Sequence, residues 1–286
     1  PQIQLHLNRM VNSYIAGNTF DSECPYHLAY HGENYNNQLN NNEFIMLNSV
    51  YSNSAAVDLG FINSSKQEKF TISNNSFYSS TLVSGRWGIG SEQANSEFDD
   101  VHIKDNTFTR MGRGIYLNHM NSENTIEKNN FVECSAAIGF WDDNPGVDIC
   151  CNTFSDNDID ILIYSGGTLQ DQTPGYDPNN SFSSVNPFNY NIVNQGSVNF
   201  YYQYLTSPPN IYTGTGQNVF LLGAPYTLSC GGDSRKTPVA SDEIETSKDI
   251  SLTIYPNPAE SFVKYSIENA SIDQILILNS LGQTVF

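Results

Sequence analysis

The sequence predicts an all-β chain: a solenoid of stacked short strands, then a linker, then a small β-sandwich segment. Three observations predict it. One hexapeptide pattern, apolar-x-x-Asn-x-Phe, recurs six times. A second short apolar strand of period two follows each copy, and no stretch shows ten or more residues of helical spacing. Beyond residue 230 the composition changes sharply.

The six copies place Ile15, Leu39, Ile72, Ile103, Ile126 and Ile149 three residues before Asn18, Asn42, Asn75, Asn106, Asn129 and Asn152. Phe20, Phe44, Phe77, Phe108, Phe131 and Phe154 follow two residues after each Asn. Spacings of 24, 33, 31, 23 and 23 residues between the Asn positions define a repeat whose units stack on one another. Equivalent residues then lie about 4.8 Å apart on successive coils. The Phe side chains should form an internal aromatic stack. The Asn side chains should form an amide ladder at a tight turn, since Asn tolerates left-handed backbone angles and can both donate and accept. The two long spacings imply loops of roughly 8 to 10 extra residues.

The second strands supply the inward row Val57, Leu59, Ile89, Ile115, Leu117, Ile138, Phe140, Ile161 and Ile163. Alternation assigns to the outer face Asp58, Gly60, Gly88, Gly90, Gly114, Tyr116, Asn118, Ala137, Gly139, Trp141, Asp160, Leu162 and Tyr164. With its six motif copies, the stretch from about residue 5 to 165 resembles the right-handed parallel β-helix, or pectin-lyase-like, family. That scaffold hosts lyases, hydrolases, adhesins and phage tail parts, so the resemblance implies fold rather than activity.

Composition narrows the partners. The chain has 286 residues, 15% charged residues and a net charge of −18. Residues 1–230 hold 8 Lys and Arg against 22 Asp and Glu, which argues against nucleic-acid and anionic-membrane partners. No run of 18 apolar residues is present to span a membrane. The start at Pro1 inside a first coil points to a processed or truncated N-terminus. Cys24, Cys134, Cys150, Cys151 and Cys230 lack metal-site spacing. Buried thiols are the favoured reading, with a bridge from Cys134 to Cys150 or Cys151 the other.

The regular repeat fades after Tyr164. Residues 165–230, rich first in Gly, Pro and Asn and then in aromatics, read as irregular last coils and a cap within a 1–230 solenoid domain. Residues 231–250 read as a polar linker. Residues 251–286 carry three alternating strands and open on Tyr255-Pro256-Asn257-Pro258-Ala259, with Gly282 inside Leu281-Gly-Gln-Thr-Val285. This segment resembles the C-terminal sorting domain of the type IX secretion system of Bacteroidetes-type bacteria. The resemblance implies a secreted or outer cell-surface cargo. Its implied partners are the outer-membrane shuttle and the surface processing enzyme of that system. Family members continue for further strands, so the sandwich here reads as incomplete.

On the outer face, Asn118, Trp141 and Tyr164 fall on successive coils beside Tyr116, an edge that suits stacking on sugar rings. The same aromatics equally suit stacking on one another as sheet neighbours. Asp58, Glu92, His119, Asp142 and Asp143 are the candidate acids, bases or calcium ligands, and Arg86 and Arg113 can neutralise a substrate carboxylate. A glycosidase needs two carboxyls across a sugar ring, and a uronate lyase needs a base plus a cation. No catalytic motif of pectate lyases, polygalacturonases or alginate lyases accompanies these residues. The expectation is therefore a non-enzymatic adhesin, matrix or glycan-binding module without an obligate cofactor. A polysaccharide lyase or glycosidase on the same scaffold is the alternative.

Overall fold

The computed structural model describes residues 3–47, 54–61, 66–83, 85–91, 97–172, 179–183, 189–196, 199–204, 208–213, 219–223, 252–255 and 264–267. Each repeat unit folds as one coil of a parallel β-helix with three strands. The strands starting at Tyr14–Ala16 and ending at Val147–Cys150 form one sheet, and those from Thr19–Ser22 to Thr153–Ser155 form a second, six-stranded sheet. The third sheet has nine strands: Ile3–Asn8, Tyr26–His31, Ser54–Phe61, Arg86–Gly90, Arg113–Leu117, Ala136–Phe140, Ile159–Ile163, Tyr190–Asn194 and Ile211–Thr213. All neighbours in these runs are parallel, and no helix occurs among the described residues. The nine-stranded sheet thus continues two strands past Ile163, with Phe200–Tyr204 and Val219–Gly223 forming a separate parallel pair.

The Phe motif builds the core. Phe20, Phe44, Phe77, Phe108, Phe131 and Phe154 are all buried and stack face to face, with ring centroids 4.7–5.3 Å apart and planes within 14°. Phe182 extends the stack at 5.6 Å. One aliphatic row, including Val57, Ile89, Ile115, Ile138 and Ile161, packs against them in a single continuous core.

The Asn motif ties three coils together. Asn129 Nδ2 donates to Asn152 Oδ1 at 3.0 Å and to the Ile103 carbonyl at 2.9 Å. Its Oδ1 accepts from the backbone N and the Nδ2 of Asn106, both at 3.0 Å. The same pattern runs from Asn18 to Asn180. The left-handed turn residue is the one before each ladder Asn, namely Gly17, Asn41, Asn74, Asp105, Lys128 and Cys151. That residue takes the bend so the Asn side chain can turn inward, which corrects the expectation that the ladder Asn itself adopts it. Part of the length in the two longer repeats goes into strands: Lys66–Ser73 and Glu97–Lys104 have 8 residues each, against 3 and 4 in Gln38–Asn40 and Asn124–Glu127.

Strict alternation fails where the nine-stranded sheet begins each coil. Ala137 and Ile138 are consecutive and both buried in the core. A Cβ on Gly88 would sit 2.6 Å from the Phe108 ring, and one on Gly114 2.7 Å from the Phe131 ring. Gly88, Gly114, Ala137 and Asp160 therefore point inward at a corner, not outward as alternation assigns them. Asp160 survives there because Ser183 N, Ser183 Oγ, Asn157 Nδ2 and Asn191 Nδ2 all donate to it at 2.8–3.0 Å. Burial still raises its pKa, against the opposing pull of those bonds.

Cys151 is in a disulfide while Cys134 is a buried thiol, so the bridge from Cys134 does not form. Burial pushes that thiol up to about 12, and it is inert. In the tail, Leu252–Tyr255 pairs antiparallel with Lys264–Ile267, and Leu252 pairs with Ile15 at the edge of the first coil. Pro256, Asn257, Pro258 and Gly282, with the 231–250 linker and the strands expected after residue 267, lie outside the described residues.

Candidate functional site

The outer face of the nine-stranded sheet carries two registered columns. One runs Trp87, Arg113, Ala136, Ile159, Tyr190. The other runs Gly90, Tyr116, Gly139, Leu162, Val193, Tyr212. Ala136, Leu162 and Val193 form a small apolar cluster separate from the core, with Ile159, Tyr164 and Tyr190 packed against it. Parallel pairing sets these residues one strand spacing apart, so the ledge from Gly90 to Tyr212 is about 24 Å long.

At one end of the ledge three aromatics gather round one cation, and a fourth, Trp141, stands beside one of them. Trp87 and Tyr116 lie 4.8 Å apart, Tyr116 and Tyr164 5.4 Å, and Trp141 and Tyr164 6.0 Å, measured between ring centroids. The Arg113 guanidinium stands 4.7 Å from the Tyr116 ring centre, 5.3 Å from that of Tyr164 and 5.6 Å from that of Trp87. Its Nε also donates to the Tyr164 hydroxyl. Such contacts enclose a guanidinium among rings and limit its freedom. Glycine makes room for them: a Cβ on Gly90 would lie 2.5 Å from Trp87, and one on Gly139 3.0 Å from Tyr164 and 3.2 Å from Tyr116.

The residues singled out from sequence are distributed as follows. Trp141 is 43% exposed, Tyr116 and Tyr164 are half-buried, and Asn118 is buried at 4%, not on the exposed edge. Asp58 is buried at 1% and its Oδ1 accepts from Gly60 N at 2.9 Å. Asp142 lies 3.8 Å from His119 Nε2 at the far end of the sheet strands, and Asp143 accepts from the Thr168 hydroxyl. Arg86 is buried on Ser79 and Thr81, away from any role as a surface cation. Glu92 lies outside the described residues. Trp87 was missed by sequence reasoning because Gly88 reads as the start of this short strand, which in the structure begins two residues earlier, at Arg86. The usable signal was a large aromatic placed three residues before Gly90, a residue without a side chain to block it.

A parallel β-helix with an aromatic and cationic outer ledge defines the class of protein. The sequence profile of the periplasmic copper-binding protein (NosD) family matches residues 45–206, and the chain belongs to that right-handed β-helix family. No curated protein and no solved structure matches the chain.

The family description raises copper, which needs imidazole, thiolate or thioether donors converging on one point. The donors here do not fit. His27 is buried against Phe44, His102 is engaged by Asp100 and Thr125, and His119 faces Asp142. His6 and His31 stack at 5.3 Å, and no third His, Cys, Asp or Glu joins them in a cluster among the described residues. Met46, Met111, Met120 and Cys134 are buried in the core. No three of His, Cys, Asp and Glu converge among the described residues, which leaves calcium without an oxygen cluster there as well.

Proposed function

We propose that this chain is an exported, non-enzymatic glycan-binding module of the NosD β-helix family. The observation that carries the reading is the ledge of Trp87, Tyr116 and Tyr164 around Arg113, with Trp141 beside Tyr164, continued by Leu162, Val193, Tyr190 and Tyr212. Sugar rings present apolar faces to aromatic rings and hydroxyls to an arginine fork, and a shallow rigid ledge offers both. A disulfide at Cys151 supports a location outside the reducing cytosol, in keeping with the periplasmic description of the family. Within this reading residues 251–286 are a type IX sorting signal, built on Tyr255, Pro256, Asn257, Pro258 and Gly282. They address the module to the outer-membrane shuttle and surface processing enzyme.

A panel of polysaccharides, scored in the same tubes for binding and for new reducing or unsaturated ends, tests the function. Binding without new ends is the expected result. New ends would favour a second reading as a lyase or glycosidase, for which His119 and Asp142, 3.8 Å apart and next to Trp141, are the relevant pair. Copper is not part of this reading, because the donors among the described residues do not converge.

A further inference from the structure

We infer that the ledge selects a glycan carrying an isolated carboxylate, a single uronic acid unit within an otherwise neutral chain. The inference rests on the glycan-binding reading and names the chemical class of the ligand. Arg113 is the reason. Its guanidinium is fixed by three rings, and one of its five N–H groups goes to Tyr164. No carboxylate pairs with it among the described residues, in a chain with 30 Asp and Glu against 12 Lys and Arg. A half-buried cation in so acidic a protein would ordinarily attract one of its own acids. Rings hold it instead, leaving the Nη pair as a planar fork suited to a carboxylate.

Two further donors stand in the same patch. The Tyr164 hydroxyl accepts from Arg113 and keeps its own proton to give. The Trp87 indole N–H is buried and has no acceptor among the described residues, on a side chain 4% exposed. Arg113 and Tyr164 thus offer donors and, in their own contacts, no competing acid. The two carboxylate oxygens can accept from the Arg113 fork while the sugar ring behind them lies on Trp141 or Tyr116.

The net charge of −18 sets the upper limit on ligand charge. A dense polyanion would meet one cation and a repelling field, whereas one carboxylate in a neutral chain meets the cation alone. The structure therefore favours sparse acid over a polyuronate.

The test is isothermal titration of the full chain with three probes. These are a neutral oligosaccharide bearing one glucuronic acid, the same oligosaccharide with that carboxyl methyl-esterified, and polygalacturonate. The acid should bind about tenfold tighter than its ester, equivalent to about 1.4 kcal/mol. Polygalacturonate should bind no tighter per site than the single acid. Arg113→Gln should abolish the difference between acid and ester, with the melting temperature checked alongside. Equal affinity of wild-type protein for acid and ester would overturn the inference, whatever the variant does, and leave the glycan reading standing. Failure of both to bind, with failure across the neutral panel, would remove the glycan reading as well. Tightest binding to polygalacturonate would contradict the sparse-acid claim.

Discussion

Replacing Asn129 by Ala removes one rung of the amide ladder, and its cost can be worked from the bonds it breaks. The Asn106 backbone N–H loses its acceptor and is left buried without one. Asn106 Nδ2 keeps the Ile72 carbonyl but loses Asn129. The Ile103 carbonyl and Asn152 Oδ1 each lose a donor. One orphaned buried N–H costs about 1–3 kcal/mol, and the weakened partners add to it, so about 2–4 kcal/mol is expected. Asn18 gives the contrast. It is the first rung among the described residues, where Asn42 Oδ1 is the partner of its backbone N–H and side-chain amide. Asn18→Ala should cost about 1 kcal/mol or less, and exposed Asn130→Ala should stay within about 0.5 kcal/mol of wild type. Urea unfolding followed by far-ultraviolet circular dichroism measures all three midpoints at fixed slope. Equal costs for Asn129→Ala and Asn130→Ala would refute the ladder as a source of stability.

Phe131→Ala empties one layer of the aromatic stack between Phe108 and Phe154 and should cost about 3–5 kcal/mol in the same assay; a loss under 1 kcal/mol would mean the stack collapses to fill it. Burial holds the His27 imidazole at about 4, below its ordinary 6.5, with the Ser22 carbonyl and Asp21 opposing in part. The unfolded chain therefore takes the proton first. The stability tied to His27, about 3 kcal/mol, should be full above pH 6.5 and be lost as pH falls towards 4. Subtracting a His27→Gln pH–stability curve from that of wild type reads this directly, and a flat difference would contradict it. Deleting residues 251–286 in a type IX-competent host should trap the folded solenoid inside the cell; unchanged surface display would refute the sorting role.

The fold was legible in the sequence because its two constant letters are each fixed by contacts that repeat every coil. Phe must stack on Phe, and Asn must bridge Asn, so neither can vary without disturbing two neighbours. The outer face was only partly legible, since alternation assumes a straight strand and each coil turns a corner first. At that corner Ala137 and Ile138 both face in, which shifted Gly88, Gly114 and Asp160 from the outer face to the inner one. Trp87 escaped because its strand begins at Arg86, ahead of the apolar run that reads as the strand. The gathering of rings on Arg113 depends on three coils contributing side chains at different offsets, positions 87, 113, 116 and 164, which no single repeat unit displays. Asn118 occupied the expected edge in sequence, yet its side chain is buried.

Both tryptophans of the chain, Trp87 and Trp141, belong to the ledge. A two-dimensional nitrogen–proton spectrum therefore holds two indole signals, and both report on the proposed site alone. Titration with an oligosaccharide that binds in the panel should move the Trp141 signal directly and the Trp87 signal through Arg113 and Tyr116, with Trp141→Ala weakening binding by about 1–3 kcal/mol. Saturable glycan binding that leaves both indole signals in place would put the ligand elsewhere on the solenoid and contradict the account.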